Sequence, residues 1–250
     1  MTVTTSKLSI FSIDDISVLV KTNNQSIDKQ PCLWLVHGSG GISSNEDLWS
    51  EYALKRGYTI IIVDSFSNRK IYKQYWTGAW DSLEFTKELR ISPEQRAKDQ
   101  IIAYNILKNE KQIIPFADLN NNITVGFSDG GTAAIWLQQT YSPDIWKNSY
   151  CLYPGLPPNT LSSDIYNIRK NQVHIFVGEL DNWTPASHVY QYQEKTKCKF
   201  TVWPNTHHSF SKPGVMNWYK EIVNCKEELG VYCEYNAEST RKTMDIVFNE

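Results

Sequence analysis

The chain has 250 residues, of which 41% are hydrophobic and 21% charged, and its formal net charge is −2. This length suits a single α/β domain spanning residues 1–250, and the composition excludes disordered and fibrous classes. A nearly neutral chain without a Lys/Arg-rich run excludes a nucleic-acid partner. We find neither a secretory leader nor the roughly 20 consecutive apolar residues of a membrane span, so we expect a soluble cytoplasmic protein with no membrane partner.

Short apolar runs alternate with helical patterns along the chain. The first 25 residues predict an antiparallel strand pair. Six continuous apolar runs then predict buried strands typical of a parallel sheet: 32–37, 58–64, 122–127, 149–154, 173–178 and 199–204. Between them, Ser44 is the predicted N-cap of a helix that ends at Gly57, Ser92 and Pro93 start another helix, and Asn236 precedes a closing helix. The fold class is α/β, an open, mostly parallel sheet with helices on both faces.

One long connection interrupts this alternation. Residues 65–90 lie between a predicted strand and a predicted helix, and they carry several aromatic side chains, among them Trp76 and Trp80. Ligands bind at the carboxyl ends of the strands in such sheets, so this connection is a candidate border of the active site. The alternative is a surface excursion held down by its own aromatic residues.

A G-x-S-x-G motif, Gly126-Phe127-Ser128-Asp129-Gly130, joins the apolar run ITVGF to a helical pattern. The motif alone is weak, but a strand before it and a helix after it predict a sharp turn that exposes the Ser128 hydroxyl. A serine hydroxyl needs a base within hydrogen-bond reach and a group that orients the base. Without such partners, Ser128 would be only a helix N-cap between turn glycines.

Candidate partners of Ser128 follow the next strands of the sheet. Asp181 comes after the run 173–178, and Glu179 is its main competitor because it lies closer to the strand. His207 and His208 come after the last predicted strand, on the same edge of the sheet as the Ser128 turn. The residues alone leave open which of the two histidines is the base.

The sequence HGSGG follows the run 32–37 and is a candidate oxyanion hole. Two backbone N–H groups aimed at a developing oxyanion each lower a barrier by roughly 3–4 kcal/mol. We expect these donors to be the amides of Asp129 and Ser39, with Gly40 as the alternative to Ser39. A phosphate-binding loop is disfavoured because neither G-x-G-x-x-G nor a P-loop lysine is present.

These motifs together resemble the dienelactone hydrolase family of α/β hydrolases. The matching stretches, in order between residues 33 and 248, are LVHGSGGISSNEDLW, GYTIIIVDSFSNR, QRAKDQIIAYNIL, VGFSDGG, VGELDNWTP, WPNTHHSF and EYNAESTRKTMDIVF. The resemblance therefore covers nearly the whole chain and implies the α/β-hydrolase fold. The chain order of serine, aspartate and histidine is also that of this fold.

The resemblance implies a nucleophile at Ser128, an acid at Asp181 and a base at His208, which stands two residues before Phe210 as in the family's H-x-F pattern. His207 then becomes a neighbour with a pocket role. The founding enzymes of the family carry cysteine at the nucleophile position, so the serine here makes dienelactone itself a doubtful substrate. The residues assigned to a possible substrate pocket are His37, Gly40, Trp76, Trp80, Trp183 and His207.

The expected function is a serine hydrolase that cleaves small carboxylic esters or lactones through an acyl-enzyme, without a metal or organic cofactor. Two alternatives stay open: a binding protein with slow or no turnover on the same fold, and an acyltransferase or peptidase with the same triad. The oligomeric state is not predicted.

Two arginines and the cysteines have structural interpretations. Arg69 and Arg96 either contact an acidic substrate or form structural ion pairs, and we favour the ion pairs. The five cysteines contain no C-x-x-C spacing and do not support zinc. Cys225 and Cys233 could close a small loop if the compartment is oxidising.

Overall fold

An eight-stranded sheet organises the chain. The computed structural model describes residues 6–13, 15–23, 29–69, 91–109, 114–138, 144–156, 172–219 and 230–249. The strands are β1 (Ser6–Ile13), β2 (Ile16–Asn23), β3 (Gln30–Val36), β4 (Thr59–Asp64), β5 (Ala117–Phe127), β6 (Trp146–Leu152), β7 (Val173–Gly178) and β8 (Lys199–Trp203), in the spatial order β1-β2-β4-β3-β5-β6-β7-β8. β2 pairs antiparallel with β1 and β4, and all other neighbours pair in parallel. The predicted fold class and the antiparallel N-terminal pair are confirmed.

Helices α1 (Ser44–Leu54), α2 (Pro93–Asn109), α3 (Asp129–Trp136), α4 (Ala186–Thr196) and α5 (Ala237–Asn249) follow the expected pattern. The N-cap predicted for α1 is wrong by one residue. Ser43 is the cap, since it forms a capping box with Glu46, whereas the Ser44 hydroxyl donates to the Pro213 carbonyl. Of the helices in the described ranges, none is long and apolar enough to cross a membrane.

Alternating residues of the central strands pack against helices on both sides of the sheet. Leu33 and Leu35 of β3 face a cluster with Trp49 of α1 and Val247 of α5. Trp34 of β3 faces the opposite cluster, which contains residues of α2 such as Ala103 and Leu107. β7 and α4 form a third cluster. Because both faces are covered, the strands are continuous apolar runs rather than alternating ones.

A two-stranded hairpin that the sequence did not predict follows the main sheet. Its strands, β9 (Met216–Tyr219) and β10 (Val231–Glu234), pair antiparallel. Glu234 N–H donates to the His208 carbonyl over 3.1 Å, and Cys233 forms a parallel bridge with His208. The hairpin therefore supports the loop that carries the two candidate histidines.

Candidate active site

Ser128 occupies a strained turn between β5 and α3. Its backbone has φ 54° and ψ −121°, a conformation that few residues other than glycine adopt. Neighbouring backbone groups hold it there: Ser128 N–H donates to the Leu152 carbonyl over 2.9 Å, and the Ser128 carbonyl accepts from Gly131 N–H over 2.8 Å. The turn thus presents the Ser128 hydroxyl at the carboxyl end of the sheet.

The two motif glycines allow the turn to pack closely. A Cβ on Gly126 would lie 2.2 Å from the Gly130 carbonyl oxygen, and a Cβ on Gly130 would lie 2.0 Å from that of Val36. Neither contact involves a flexible side chain that could move away. Glycine is therefore required at both positions for steric reasons, which explains the G-x-S-x-G spacing physically.

Ser128, His208 and Asp181 form a hydrogen-bonded chain across three strand ends. Ser128 Oγ lies 3.2 Å from His208 Nε2, and His208 Nδ1 lies 2.8 Å from Asp181 Oδ2. The side chains of His208 and Asp181 are buried. With Nδ1–H donated to the carboxylate, Nε2 is the acceptor that faces the serine hydroxyl. The arrangement can remove a proton from Ser128 and return it later.

The Asp181 carboxylate is held by a donor that the sequence reasoning missed, Thr184. Trp183 N–H and Thr184 N–H donate to Oδ1 over 2.9 and 2.8 Å, and the Thr184 hydroxyl lies 3.0 Å from Oδ2. The same hydroxyl lies 3.1 Å from His208 Nδ1. The spacing D-x-x-T before Pro185 was the available signal, because Asp side chains bond backbone amides two and three residues ahead.

Two aromatic rings enclose the His208 imidazole. The ring of Trp183, a predicted pocket residue, is tilted by 45° with its centroid 4.7 Å from that of His208. Tyr153, which was not predicted, lies at the same distance in an edge arrangement. Its hydroxyl bonds Ser211 Oγ over 2.7 Å and accepts from Asn45 Nδ2 over 3.2 Å. The rings and this buried network restrict the imidazole to one orientation.

The loop that follows β3 forms a tight turn beside Ser128. Gly41 N–H donates to the Gly38 carbonyl over 3.1 Å, and Ser39 and Gly40 are half-buried within the turn. A Cβ on Gly38 would lie 3.6 Å from the Cβ of Ser128. This turn therefore runs close to Ser128, where an oxyanion would form.

His37 does not line a pocket as expected, because its side chain is buried under this turn. Nδ1–H donates to the Gly38 carbonyl over 2.8 Å, and Nε2 accepts from Ser65 N–H over 3.2 Å. Burial and the charge of Arg96 lower the pKa of His37 to about 4. Both ring nitrogens of this neutral imidazole are committed to the backbone, so the side chain is not available to a substrate.

The competing candidates point elsewhere. His207 Nδ1–H donates to the Leu180 carbonyl over 3.2 Å, and its ring contacts Tyr232. Glu179 is exposed and accepts from Asn205 N–H. Neither residue joins the chain of hydrogen bonds at Ser128. The predicted pocket residues Trp76 and Trp80 lie outside the described residues.

Three further sequence predictions concern the surroundings of the site: the ion pair of Arg69, the disulfide between Cys225 and Cys233, and metal binding. Arg69 forms a two-point ion pair with buried Asp99, at 2.7 and 3.0 Å. Cys233 is a buried free thiol, and Cys225 lies outside the described residues. Within the part of the chain that the structure describes, no group of three or more His, Cys, Asp or Glu side chains could hold a metal.

Comparisons with known proteins give the family of the sequence and agree with the fold. The sequence model of the dienelactone hydrolase family matches residues 16–248. A proposed dienelactone hydrolase from Klebsiella pneumoniae is 14% identical, with a TM-score of 0.72 and 98% of each chain covered. An α/β hydrolase from a Medee basin deep-sea metagenome library is 15% identical, with a TM-score of 0.66, covering 98% of this chain and 96% of that one.

A third solved structure, a dienelactone hydrolase-like promiscuous phosphotriesterase from metagenomic libraries, is 15% identical and has a TM-score of 0.61. The match covers 98% of this chain and 96% of that chain. Among curated proteins, none matches this sequence.

Proposed function

The chain belongs to the dienelactone hydrolase family and is a hydrolase, and from this premise we propose that it cleaves small carboxylic esters or lactones through an acyl-enzyme on Ser128. The observation that supports the proposal is the chain of contacts from Ser128 Oγ to His208 Nε2, at 3.2 Å, and from His208 Nδ1 to Asp181 Oδ2, at 2.8 Å. A serine hydroxyl becomes an effective nucleophile only with such a base and orienting acid.

In the first half of the proposed reaction, Ser128 Oγ attacks the ester carbonyl carbon while its proton passes to His208 Nε2. Asp181 stabilises the imidazolium that forms and keeps Nδ1–H in place. When the tetrahedral intermediate collapses, the bond to the leaving alcohol breaks and His208 gives the proton to the alcohol oxygen. The product of this half is an ester between the acyl group and Ser128.

In the second half, water attacks the acyl carbon, His208 takes the proton from that water, and the Ser128 oxygen leaves with a proton from His208. Both tetrahedral intermediates carry a negative oxygen. We assign its stabilisation to the amide N–H groups of Ser39 and Asp129, the second of which starts helix α3 and gains from the positive end of the helix dipole.

The proposed reaction consumes one ester and one water and yields one acid and one alcohol. Its proton transfers use His208 alone, so the chemistry requires no organic cofactor. The serine nucleophile favours a general ester or lactone over dienelactone. We propose a small-molecule substrate, and the cytoplasmic location stays a prediction.

The test combines turnover with labelling. Purified protein is assayed on p-nitrophenyl esters of increasing acyl length, and a fluorophosphonate probe is used to find the modified residue by peptide mass. We expect turnover of short esters and labelling at Ser128, both lost in Ser128→Ala. Ser12→Ala, a substitution of an exposed serine on β1, is the matched control and should keep both. Absence of turnover and labelling in the wild type would refute the proposal.

A further inference from the structure

Arg96 is a fully buried arginine on α2 that contacts both segments assigned to the oxyanion hole. Its Nη1 donates to the His37 carbonyl over 3.0 Å, at the start of the turn that carries Ser39. Its Nη2 lies 3.7 Å from Asp129 Oδ2, on the residue that follows the nucleophile. The guanidinium also lies over the Phe66 ring, 4.7 Å from its centroid. A single rigid group therefore connects the two sides of the site.

The backbone geometry of the turn shows why this connection matters for Ser39. The Gly38 carbonyl and the Ser39 N–H belong to the same planar trans peptide, so they point in opposite directions. The Gly38 oxygen accepts from His37 Nδ1–H over 2.8 Å and from Gly41 N–H over 3.1 Å. Two donors on that oxygen fix the direction of Ser39 N–H and polarise it.

The position of His37 depends in turn on Arg96. Arg96 donates to the His37 carbonyl, and the His37 imidazole packs edge-on against the Phe66 ring, with centroids 4.6 Å apart. Phe66 lies under the guanidinium, so Arg96, Phe66 and His37 form one buried unit beneath the turn. A planar fork that makes several contacts at once is a property of arginine that lysine and glutamine do not share.

We propose that Arg96 is a positioning residue that fixes the spacing between the Ser39 and Asp129 amides, with His37 aiming the Ser39 amide. This inference rests on the proposed function, because it concerns the oxyanion of the same reaction. Arg96 acts through the loop and the turn and does not touch the reacting atoms. Its loss should weaken binding of the transition state while leaving binding of the substrate unchanged.

The test substitutes Arg96→Gln and measures kcat, KM and the inhibition constant of a short-chain alkyl trifluoromethyl ketone, which forms a tetrahedral oxyanion on the serine. Removing one oxyanion-hole donor costs about 100-fold or more in rate, and a displaced donor should cost about 10- to 100-fold. We expect kcat to fall by that factor, KM to stay within about threefold, and the inhibition constant to rise in parallel with the loss of kcat/KM. Titration with the fluorophosphonate probe gives the fraction of protein molecules with a reactive Ser128, called intact sites, and kcat is calculated per intact site.

Arg241→Gln is the matched control, because Arg241 also pairs with a carboxylate, that of Asp245 at 2.8 Å, but does so on the exposed side of α5. It should leave both kcat/KM and the inhibition constant unchanged. If Arg96→Gln does not fold, Asp129→Asn replaces it, because this variant keeps the backbone amide and removes the charge that faces Arg96. We expect the same two quantities to change in the same direction, by a smaller factor.

The outcomes separate this inference from the proposed function. An inactive, unlabelled wild type would refute the function itself. An active wild type in which Arg96→Gln or Asp129→Asn leaves the inhibition constant and the kcat per intact site unchanged would overturn only the role of Arg96. A parallel loss in kcat/KM and inhibitor affinity, absent in Arg241→Gln, supports it.

Discussion

Replacing Thr184 by valine tests how strongly the hydroxyl that contacts Asp181 Oδ2 supports the reaction. Valine keeps the size of the side chain and the backbone amide that donates to Oδ1, so the variant removes only the hydroxyl near Oδ2 and His208 Nδ1, at 3.0 and 3.1 Å. A hydrogen bond to a charged group contributes roughly 1.5–3 kcal/mol. The single hydroxyl proton is also within reach of the Tyr153 carbonyl, at 3.1 Å, so we take the lower end of this range.

A loss of about 1.5 kcal/mol corresponds to a decrease of about tenfold in kcat. We expect KM to change little, because the contact supports His208 when it carries a proton in the transition state. The assay is kcat and KM on a short p-nitrophenyl ester, with Thr184→Ser as the control that retains the hydroxyl. The reasoning would be refuted if Thr184→Val kept kcat within twofold, or if Thr184→Ser lost as much as valine.

The remaining predictions concern the base, the turn and a buried acid. His208→Ala should reduce kcat by about 1,000-fold or more, whereas His207→Ala should keep most turnover, and the reverse result in the ester assay would exchange their roles. Gly126→Ala should lower the free energy of unfolding in urea by about 3 kcal/mol or more, because the new Cβ meets a carbonyl oxygen at 2.2 Å; a smaller loss would mean that the turn can relax. Burial raises the pKa of Glu46 to about 7, so the folded state binds its proton more tightly than the unfolded state and stability falls as the pH rises from about 4.5 to about 7. Glutamine also fits the capping box. In urea unfolding, the stability of Glu46→Gln relative to wild type should therefore be greater at pH 8 than at pH 5. An equal difference in unfolding free energy between the two proteins at both pH values would contradict this.

Much of the sheet follows from the sequence because strands buried on both faces leave continuous apolar runs. The run 173–178 predicts β7 to the residue, whereas β5 starts five residues before the predicted position. That early part of β5, ADLNN, carries polar side chains, so hydrophobicity gives no signal there. The hairpin of β9 and β10 was also missed: each of its strands has only four residues, and its contacts with the His208 loop join residues that are far apart in the chain.

The relative positions of Ser128, Asp181 and His208 could be anticipated because carboxyl ends of parallel strands share one edge of the sheet. The side chains that hold these residues could not be anticipated. Tyr153, which follows β6, and Ser211, in the loop after β8, are far apart in the chain, and only the folded structure brings their hydroxyl groups together. His37 was misassigned because a histidine beside a glycine loop has the same sequence whether it faces a substrate or the protein interior.

The two halves of the site are supported by different kinds of contact, and this follows from what each half must do. In the proposed reaction His208 gains and loses a proton, and its Nδ1 faces the Asp181 carboxylate at 2.8 Å and the Thr184 hydroxyl at 3.1 Å. In the same proposal the Ser39 and Asp129 amides only have to keep their positions. This suits a permanently charged, planar guanidinium that donates to the His37 carbonyl and lies 3.7 Å from the Asp129 carboxylate. A serine hydroxyl needs the first half more than a cysteine thiol does, because it ionises far less readily. Under the proposed function, the reactivity of Ser128 therefore depends on the buried contacts of His208.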